Sequence, residues 1–220
     1  MSRGTASLAF FGAVAASVTH ELNNSLSIID QAQGLLADLA AVSDAGSPID
    51  PARLKTVQER INRQVRKGVE IVERFNRFAH TIDDPRGSFD VCGETGNIVA
   101  LSRRLAELKY VRLECSLPSE GVLIAGDAFL LQQAVFLCIQ LLLEGSEEGD
   151  RLEVSVQRRE SGLTLSVAGT AEQAVDGNDA RVVQLALLMQ EFEGTYAIGN
   201  GDLAGTAVTL RIETNDGRNK

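Results

Sequence analysis

Two long segments without proline set the strongest limit on how this chain folds. Residues 6–41 form the first segment, and the break "SDAGSPIDP" separates it from residues 52–80. At about 100° per residue, the apolar side chains of the first segment fall on one stripe of a helix. These side chains are Phe11, Val14, Val18, Leu22, Ile29 and Leu36.

The second segment carries its own start and stop signals. Asp50 is a favourable N-cap and Pro51 suits the first helical position, whereas Pro85 and Gly87 end the helix near "DDPRG". Its apolar stripe consists of Leu54, Val57, Ile61, Val65, Val72, Phe75 and Ala79. The sequence therefore predicts two long helices that pack as an antiparallel hairpin.

A lone hairpin leaves half of each apolar stripe in water. Pairing of two hairpins into a four-helix bundle buries both halves, and this predicts a homodimer. The alternative is a monomer in which residues 90–220 cover the stripe.

A different pattern begins near residue 88. Helical stretches at 92–108, 127–145 and 179–192 alternate with the strands "VRLECSL", "RLEVSVQRR", "LTLSVAG", "GTYAIGN" and "TAVTLRIE". This order predicts an α/β domain with helices on one side of a mixed sheet. The fold class is thus α plus α/β, with the helical hairpin at 1–86 and the α/β domain at 87–220.

Composition excludes several classes of function. The net charge of −9 argues against a nucleic-acid partner, and no apolar run reaches the roughly 18 residues of a membrane span. Three cysteines at even, wide spacing suit neither a zinc site nor a disulfide framework. We therefore expect reduced thiols in a cytoplasm, with no metal ligands among Cys92, Cys115 and Cys138.

Charge is distributed unevenly along the chain. Residues 52–80 carry eight Lys/Arg and three Asp/Glu, although the whole chain is acidic. Such a basic stripe is typical of a solvated helix face. A more specific interpretation is that it is a docking surface for an acidic partner. The candidate docking residues are Arg60, Arg63, Arg66 and Lys67.

The stretch "VTHELNNSLSII", residues 18–29, places one of the two histidines inside the first helix. His20 lies about 180° from the centre of the apolar stripe, and Asn24 follows it by about one turn. Glu21 can accept a hydrogen bond from the ring nitrogen that is not used for chemistry, and Asn24 can orient a water. Small residues on the same face leave room for a partner, namely Ser17 and Ser27.

This stretch resembles the H-box of sensor histidine kinases, in the form H-E-[LI]-N-N-P-L with Ser25 in place of proline. "GDAFLLQQAVFLCIQLLLEGS" is similar to that family's asparagine-bearing helix, and "EGTYAIGN…GTAVTLRIE" to its last strands. The resemblance covers nearly the whole chain and implies a dimeric phosphotransfer hairpin followed by an ATP-binding fold. It also implies that His20 is the phosphoacceptor, that Glu21 assists transfer and that Asn24 serves dephosphorylation of a receiver.

The ATP site of that family does not carry over. Leu137 and Leu141 stand where asparagines are expected, so Mg²⁺ loses an oxygen ligand. The strand "LTLSVAG" is followed by no aspartate before Asp176, and "DARVVQL" replaces a glycine-rich lid that holds phosphate. Three independent losses predict that this chain binds no ATP.

A histidine that is not charged from ATP can still accept a phosphoryl group from a phospho-aspartate. The resemblance is then to histidine phosphotransferases that look like kinases with a degenerate ATP domain. Their relay implies response-regulator receivers and an upstream hybrid histidine kinase as partners, with Mg²⁺ on the receiver and no cofactor in this chain. Such transfer mainly requires positioning.

Two other functions stay open from the sequence. One is a non-catalytic dimeric module that binds a receiver or a kinase. The other is a divergent sensor kinase or receiver phosphatase with an unrecognised nucleotide pocket. We expect His80, with no acid or amide beside it, to be structural, and we expect Phe75 and Phe78 to pack in the bundle or at a domain interface.

Overall fold

The computed structural model describes residues 3–44, 48–83, 85 and 87–213. Contacts divide the chain into two compact units. The hairpin unit comprises Phe11–Asn76, and the α/β unit comprises the chain up to Phe10 together with the chain from Arg77 onward. In the part of the chain that is described, no helix is both long and apolar enough to cross a membrane.

Two helices make up most of the hairpin unit. Helix α1 spans Arg3–Asp44 and helix α2 spans Pro51–His80, so α1 is longer at both ends than the sequence predicted. Helix α2 begins at Pro51 as predicted, because the Asp50 carboxylate accepts a hydrogen bond from the Ala52 amide at 2.9 Å.

Contacts along the hairpin show that α1 and α2 run antiparallel, as predicted. The rings of Phe11 and Phe75 lie 6.0 Å apart at one end. Further along, Gly68 faces Leu22, whose Cδ2 would be 3.9 Å from a β-carbon at residue 68. The register is therefore fixed at several levels of the hairpin.

The buried seam of the hairpin differs from the predicted stripe. On α1 it includes Val18, Ser25 and Ala32, which follow a seven-residue repeat. On α2, Leu54 and Val72, both assigned to the seam from the sequence, are 44% exposed. The difference arises because the seam of two helices is narrower than the apolar stripe of either helix.

The α/β unit contains seven strands and three further helices in the described residues. The strands are β1 (Ser88–Asp90), β2 (Arg112–Ser116), β3 (Leu123–Ala125), β4 (Arg151–Arg159), β5 (Gly162–Gly169), β6 (Thr195–Asn200) and β7 (Thr206–Glu213). The helices are α3 (Val91–Glu107), α4 (Ala128–Glu144) and α5 (Ala180–Glu191). The predicted boundaries of these helices and of the strands from β4 onward agree with the structure to within one or two residues.

A five-stranded mixed sheet in the order β2-β4-β5-β7-β6 is the centre of this unit. Strand β2 is parallel to β4, and the other neighbours are antiparallel. Paired positions alternate in burial: Val154, Val167 and Val208 are buried, whereas Ser166 and Thr209 next to them are partly exposed. One face of the sheet is thus apolar and packed, and the opposite face is polar.

A two-stranded ribbon of β1 and β3 was not predicted. Three residues per strand are too few for an alternating pattern to be recognised. The ribbon is tied to the start of α3 by Asp90, whose carboxylate accepts hydrogen bonds from the amides of Cys92, Gly93 and Val122. A single N-cap side chain therefore joins three segments.

Helix α4 lies in the core, and all but two of its residues are buried. At its N-terminal half, Phe129 and Phe136 form an aromatic cluster with Phe10 and Phe78, with ring centroids 5.1 to 5.8 Å apart. Phe78 is fully buried there, in agreement with the predicted packing role.

Candidate functional site

The outward face of α1 carries His20. Its side chain is exposed, as are those of Asn24 and Ser27, whereas Ser17 is half-buried. The outer position follows from the helical phase, since the buried Val14 and Val18 lie on the opposite side. A partner can therefore reach the imidazole directly.

Glu21 is oriented differently from its neighbour. Its side chain is only 17% exposed, and its Oε2 lies 3.8 Å from the Nζ of Lys67 on α2. The acid predicted to orient the imidazole of His20 is thus held by a lysine from the other helix. Lys67, predicted as a docking residue, is 53% exposed and also has this internal contact.

The basic residues of α2 lie on the same long side of the hairpin as His20. Arg60 donates a hydrogen bond to Gln31 Oε1 on α1 at 3.4 Å, and Gln31 lies within about 20° of His20 around that helix. Arg63 is exposed and follows at the i+3 position on the Arg60 face. At 1.5 Å per residue, this basic face begins about 16 Å along the hairpin from the histidine. Arg66, also exposed, lies at the edge of the face.

The opposite long side of the hairpin is an apolar groove of about 390 Å³. It is lined from α1 by Leu22, Ser25, Leu26 and Ile29, and from α2 by Gln64, Val65, Gly68, Val69, Val72 and Glu73. Leu26 is 61% exposed and Val69 is 53% exposed. The α1 members lie about 140–240° around the helix from His20. The hairpin thus has a polar side with the histidine and an apolar side without it.

In the α/β unit, the positions that resemble a nucleotide site hold apolar side chains. Leu137 and Leu141 on α4 are 6% and 3% exposed and belong to the packed core. Neither offers an oxygen to Mg²⁺, which requires oxygen ligands in near-octahedral geometry. Ala168, at the end of β5, has no carboxylate to accept a hydrogen bond from a base.

The loop at 170–179 after β5 is tied to α4. The Gln173 side chain donates to the carbonyl of Leu142 at 3.0 Å and lies so close to Gly145 that a β-carbon there would collide with it. The Gln173 backbone exchanges two hydrogen bonds with the Thr206 hydroxyl, at 2.8 and 2.9 Å. Three hydrogen bonds of Gln173 thus hold this short loop in place.

Arg181, in the first turn of α5, links this helix to the C-terminal end of α4. Its guanidinium donates to Asp179 Oδ1 at 2.9 Å and also pairs with Glu144 at the end of α4. A third contact reaches the Gln140 carbonyl at 3.5 Å. The position that resembles a glycine-rich phosphate loop is thus occupied by a cation that already has carboxylate partners. These side chains do not fit a magnesium nucleotide.

His80 differs from its prediction. Its Nδ1 lies 2.7 Å from Asp83 Oδ2, so the expectation that no acid stands beside it is wrong. Asp83 lies three residues on, in the turn that follows α2, and the turn brings it back to the ring. Both side chains are largely exposed.

Solved structures of histidine kinases share this architecture. The chain aligns with the catalytic domain of the histidine kinase ThkA at a TM-score of 0.53 and 11% identity, over 59% of this chain and 96% of that one. It aligns with the ATP-binding domain of PrrB from Mycobacterium tuberculosis at 0.51 and 20% identity, over 60% and 100%. The α/β unit has the histidine-kinase catalytic fold.

The match also extends into the hairpin. The Acinetobacter baumannii histidine kinase AdeS aligns over 90% of this chain and 98% of its own, with a TM-score of 0.51 and 15% identity. No family model matches the chain, and no curated protein matches it in sequence. These alignments confirm the histidine-kinase fold that we predicted from the H-box and the closing strands.

Sequence reasoning missed Glu144, Gln173 and Arg181. Their signal is faint, because three polar residues on separate elements have no common spacing. An arginine at the third position of "DARVVQL" was the one available sign, since a long cation there conflicts with a phosphate loop built from glycine.

The ion pairs of Arg181 with Asp179 and Glu144 predict that the stability of the fold depends on pH. The hydrogen bond from Arg181 holds the pKa of Asp179 below its ordinary value of 3.8. The ionised form is thus favoured by folding, and its stabilisation is present above about pH 4 and is lost as the pH falls through the lowered value. We expect Arg181→Met to lower the free energy of unfolding at pH 7 by about 1–2 kcal/mol and to flatten its decrease between pH 4 and 2.

Urea titrations at pH 7, 4, 3 and 2 measure both effects. Arg112→Met, at an exposed arginine of β2, is the matched control and should change stability by less than about 0.5 kcal/mol. Equal pH slopes for the wild type and Arg181→Met would contradict the assignment.

Proposed function

We propose that this chain is a histidine phosphotransfer protein that relays phosphoryl groups to or from response-regulator receivers through His20, without ATP-dependent autokinase activity. The observation that carries the proposal is the exposed histidine on the polar side of the hairpin, on the same face as the basic residues of α2. The division of the chain into a hairpin domain at 1–86 and an α/β domain at 87–220 belongs to the same proposal.

Phosphoryl transfer requires little of this chain beyond the correct position of His20. A ring nitrogen of His20 that carries no proton attacks the phosphorus of a receiver's aspartyl phosphate, the P–O bond to the aspartate breaks, and the carboxylate leaves with the electron pair. The other ring nitrogen keeps its proton, and Glu21, whose carboxylate lies 3.8 Å from Lys67, accepts from it only when it leaves that lysine. Mg²⁺ belongs to the receiver, and reversal of the step gives transfer in the other direction.

Docking follows from charge. Arg60, Arg63 and Lys67 give α2 a basic face along the approach to His20, with Arg66 at its edge. An acidic receiver surface is attracted to such a face while the imidazole stays open. Ser17 and Ser27 flank the histidine with small side chains, and Asn24 is the residue that we assign to hydrolysis of the receiver's phosphate.

The second candidate is a divergent histidine kinase or receiver phosphatase. The fold shared with kinase catalytic domains favours it. The apolar Leu137 and Leu141 and the paired Arg181 favour phosphotransfer instead. A non-catalytic binding module is the third possibility, and in that case the histidine is dispensable.

The phosphotransfer test uses a panel of receivers labelled on their aspartate. We expect label to move to the wild-type chain and His20→Ala to abolish that transfer, because the other histidine of the chain, His80, lies outside the hairpin unit. His80→Ala is the matched control, since it removes the other exposed histidine and should transfer at the wild-type rate. Asn24→Ala should keep transfer and slow the loss of phosphate from the receiver by about 10-fold or more.

Two outcomes decide against this proposal. Transfer that persists in His20→Ala excludes His20 as the phosphoacceptor. A wild-type chain that neither takes label nor speeds dephosphorylation of any receiver, yet binds receivers, supports the non-catalytic module.

A nucleotide titration separates phosphotransfer from kinase activity. We expect Mg²⁺-ADP to leave the melting temperature unchanged, because the lost ligands are replaced by apolar and already paired groups. A nucleotide at 100 times its Kd would add about 2.7 kcal/mol of stability and raise the melting temperature by several degrees. Saturable, Mg²⁺-dependent binding by calorimetry would instead support the divergent kinase.

The homodimer is part of the proposal, and the apolar groove is its interface. Leu26 and Val69 in this groove are more than half exposed, and a second hairpin that buries them would complete a four-helix bundle. We expect Val69→Glu and Leu26→Glu each to convert a dimer of twice 23.6 kDa into a monomer. Sedimentation velocity measures the change, with Leu123→Glu, at a 71% exposed leucine of β3, as the control. A wild-type monomer, or a Val69→Glu dimer, would refute the interface.

A further inference from the structure

A second cavity lies in the α/β unit and has no part in the proposed phosphotransfer. Its volume is about 400 Å³. Three helices form it: α1 contributes Ala6, α4 contributes Gln133, and α5 contributes Ala180, Val183, Gln184, Leu187, Leu188, Gln190 and Glu191. Every lining residue belongs to the α/β unit, whereas His20 belongs to the hairpin unit.

The walls of this cavity are mostly apolar, and some of the apolar side chains are exposed to solvent. Val183 is 51% exposed and Leu187 is 57% exposed, at i and i+4 on α5, and both line the cavity. Water against these two side chains gains no hydrogen bonds from them, so an apolar ligand that displaces it is favoured.

Gln133 supplies a polar group without a partner. Its side chain is 1% exposed, and its Nε2 has no hydrogen-bond acceptor among the described residues. The preceding glutamine, Gln132, donates its own Nε2 to Glu94. A buried amide donor without an acceptor is costly and needs an explanation. The last torsion of glutamine is soft, so the amide can turn toward a ligand in the cavity.

We propose that this cavity binds a small, uncharged molecule with an aliphatic body and a carbonyl oxygen that accepts from Gln133. The size falls within the usual range for small-molecule sites, about 300–1,000 Å³. Glu191 is the one charged residue among the described residues that line it. No lysine or arginine is among the described residues that line it, so an anionic head group would lose its water without gaining a counter-charge, which selects the neutral carbonyl over a fatty acid.

The test uses the full chain and three probes with the same six-carbon body. Hexanamide, hexanoate and hexylammonium are titrated separately into ¹⁵N- and methyl-labelled protein. We expect saturable shifts for hexanamide at the Gln133 side-chain amide and at the methyls of Val183 and Leu187, with a Kd in the millimolar range that suits so small a ligand. Hexanoate should bind at least about 10-fold more weakly, because its carboxylate finds no counter-charge among the described lining residues.

Two variants separate the parts of the site. Gln133→Leu keeps the size and removes the unpartnered amide, so it should fold and bind hexanamide at least about 5-fold more weakly. Leu187→Glu should weaken the binding of hexanamide, and Leu108→Glu, at a 58% exposed leucine outside the cavity, should leave it unchanged. The proposal is wrong if hexanamide gives no saturable shift at Gln133, if Gln133→Leu binds it as tightly as the wild type, or if hexanoate binds best.

Discussion

The packing of α1 against α2 sets the position of each candidate functional group in the hairpin. Contacts at three levels fix the register, from Phe11–Phe75 through Glu21–Lys67 to Gln31–Arg60. A shift by one residue would rotate each helix face by about 100°. The positions of the exposed His20, of the half-buried Glu21 and of the basic face of α2 therefore depend on the same seam.

The α/β unit combines the histidine-kinase catalytic fold with apolar side chains at two positions of α4. A nucleotide site needs oxygen ligands, a carboxylate for the base and flexible backbone for the phosphates. Here Leu137 and Leu141 are buried in the core, and the burial of each side chain stabilises the fold by about 1.5–3 kcal/mol. The ion pairs of Arg181 tie α5 to α4, so the same region contributes to stability without a bound nucleotide.

The sequence predicted the hairpin, the order of the elements and the kinase-like fold, because long periodic helices and alternating strands bury a defined face. It failed where an element is very short or where a contact depends on a turn. The ribbon of β1 and β3 is too short to show a period, and the His80–Asp83 contact depends on a turn. The seam of α1 includes the polar Ser25, which no apolar pattern would select. The roles of His20, Glu21 and Asn24 stay predictions.

The two long sides of the hairpin allow two partners at once. The groove residues Leu22, Leu26 and Ile29 lie about 180–240° around α1 from His20. A second hairpin seated in the groove would bury apolar surface that is now wet and would leave the imidazole in solvent. An acidic receiver on the basic face would meet no competition for that surface. The proposed dimerisation and the proposed phosphoryl transfer would therefore use different faces of one hairpin.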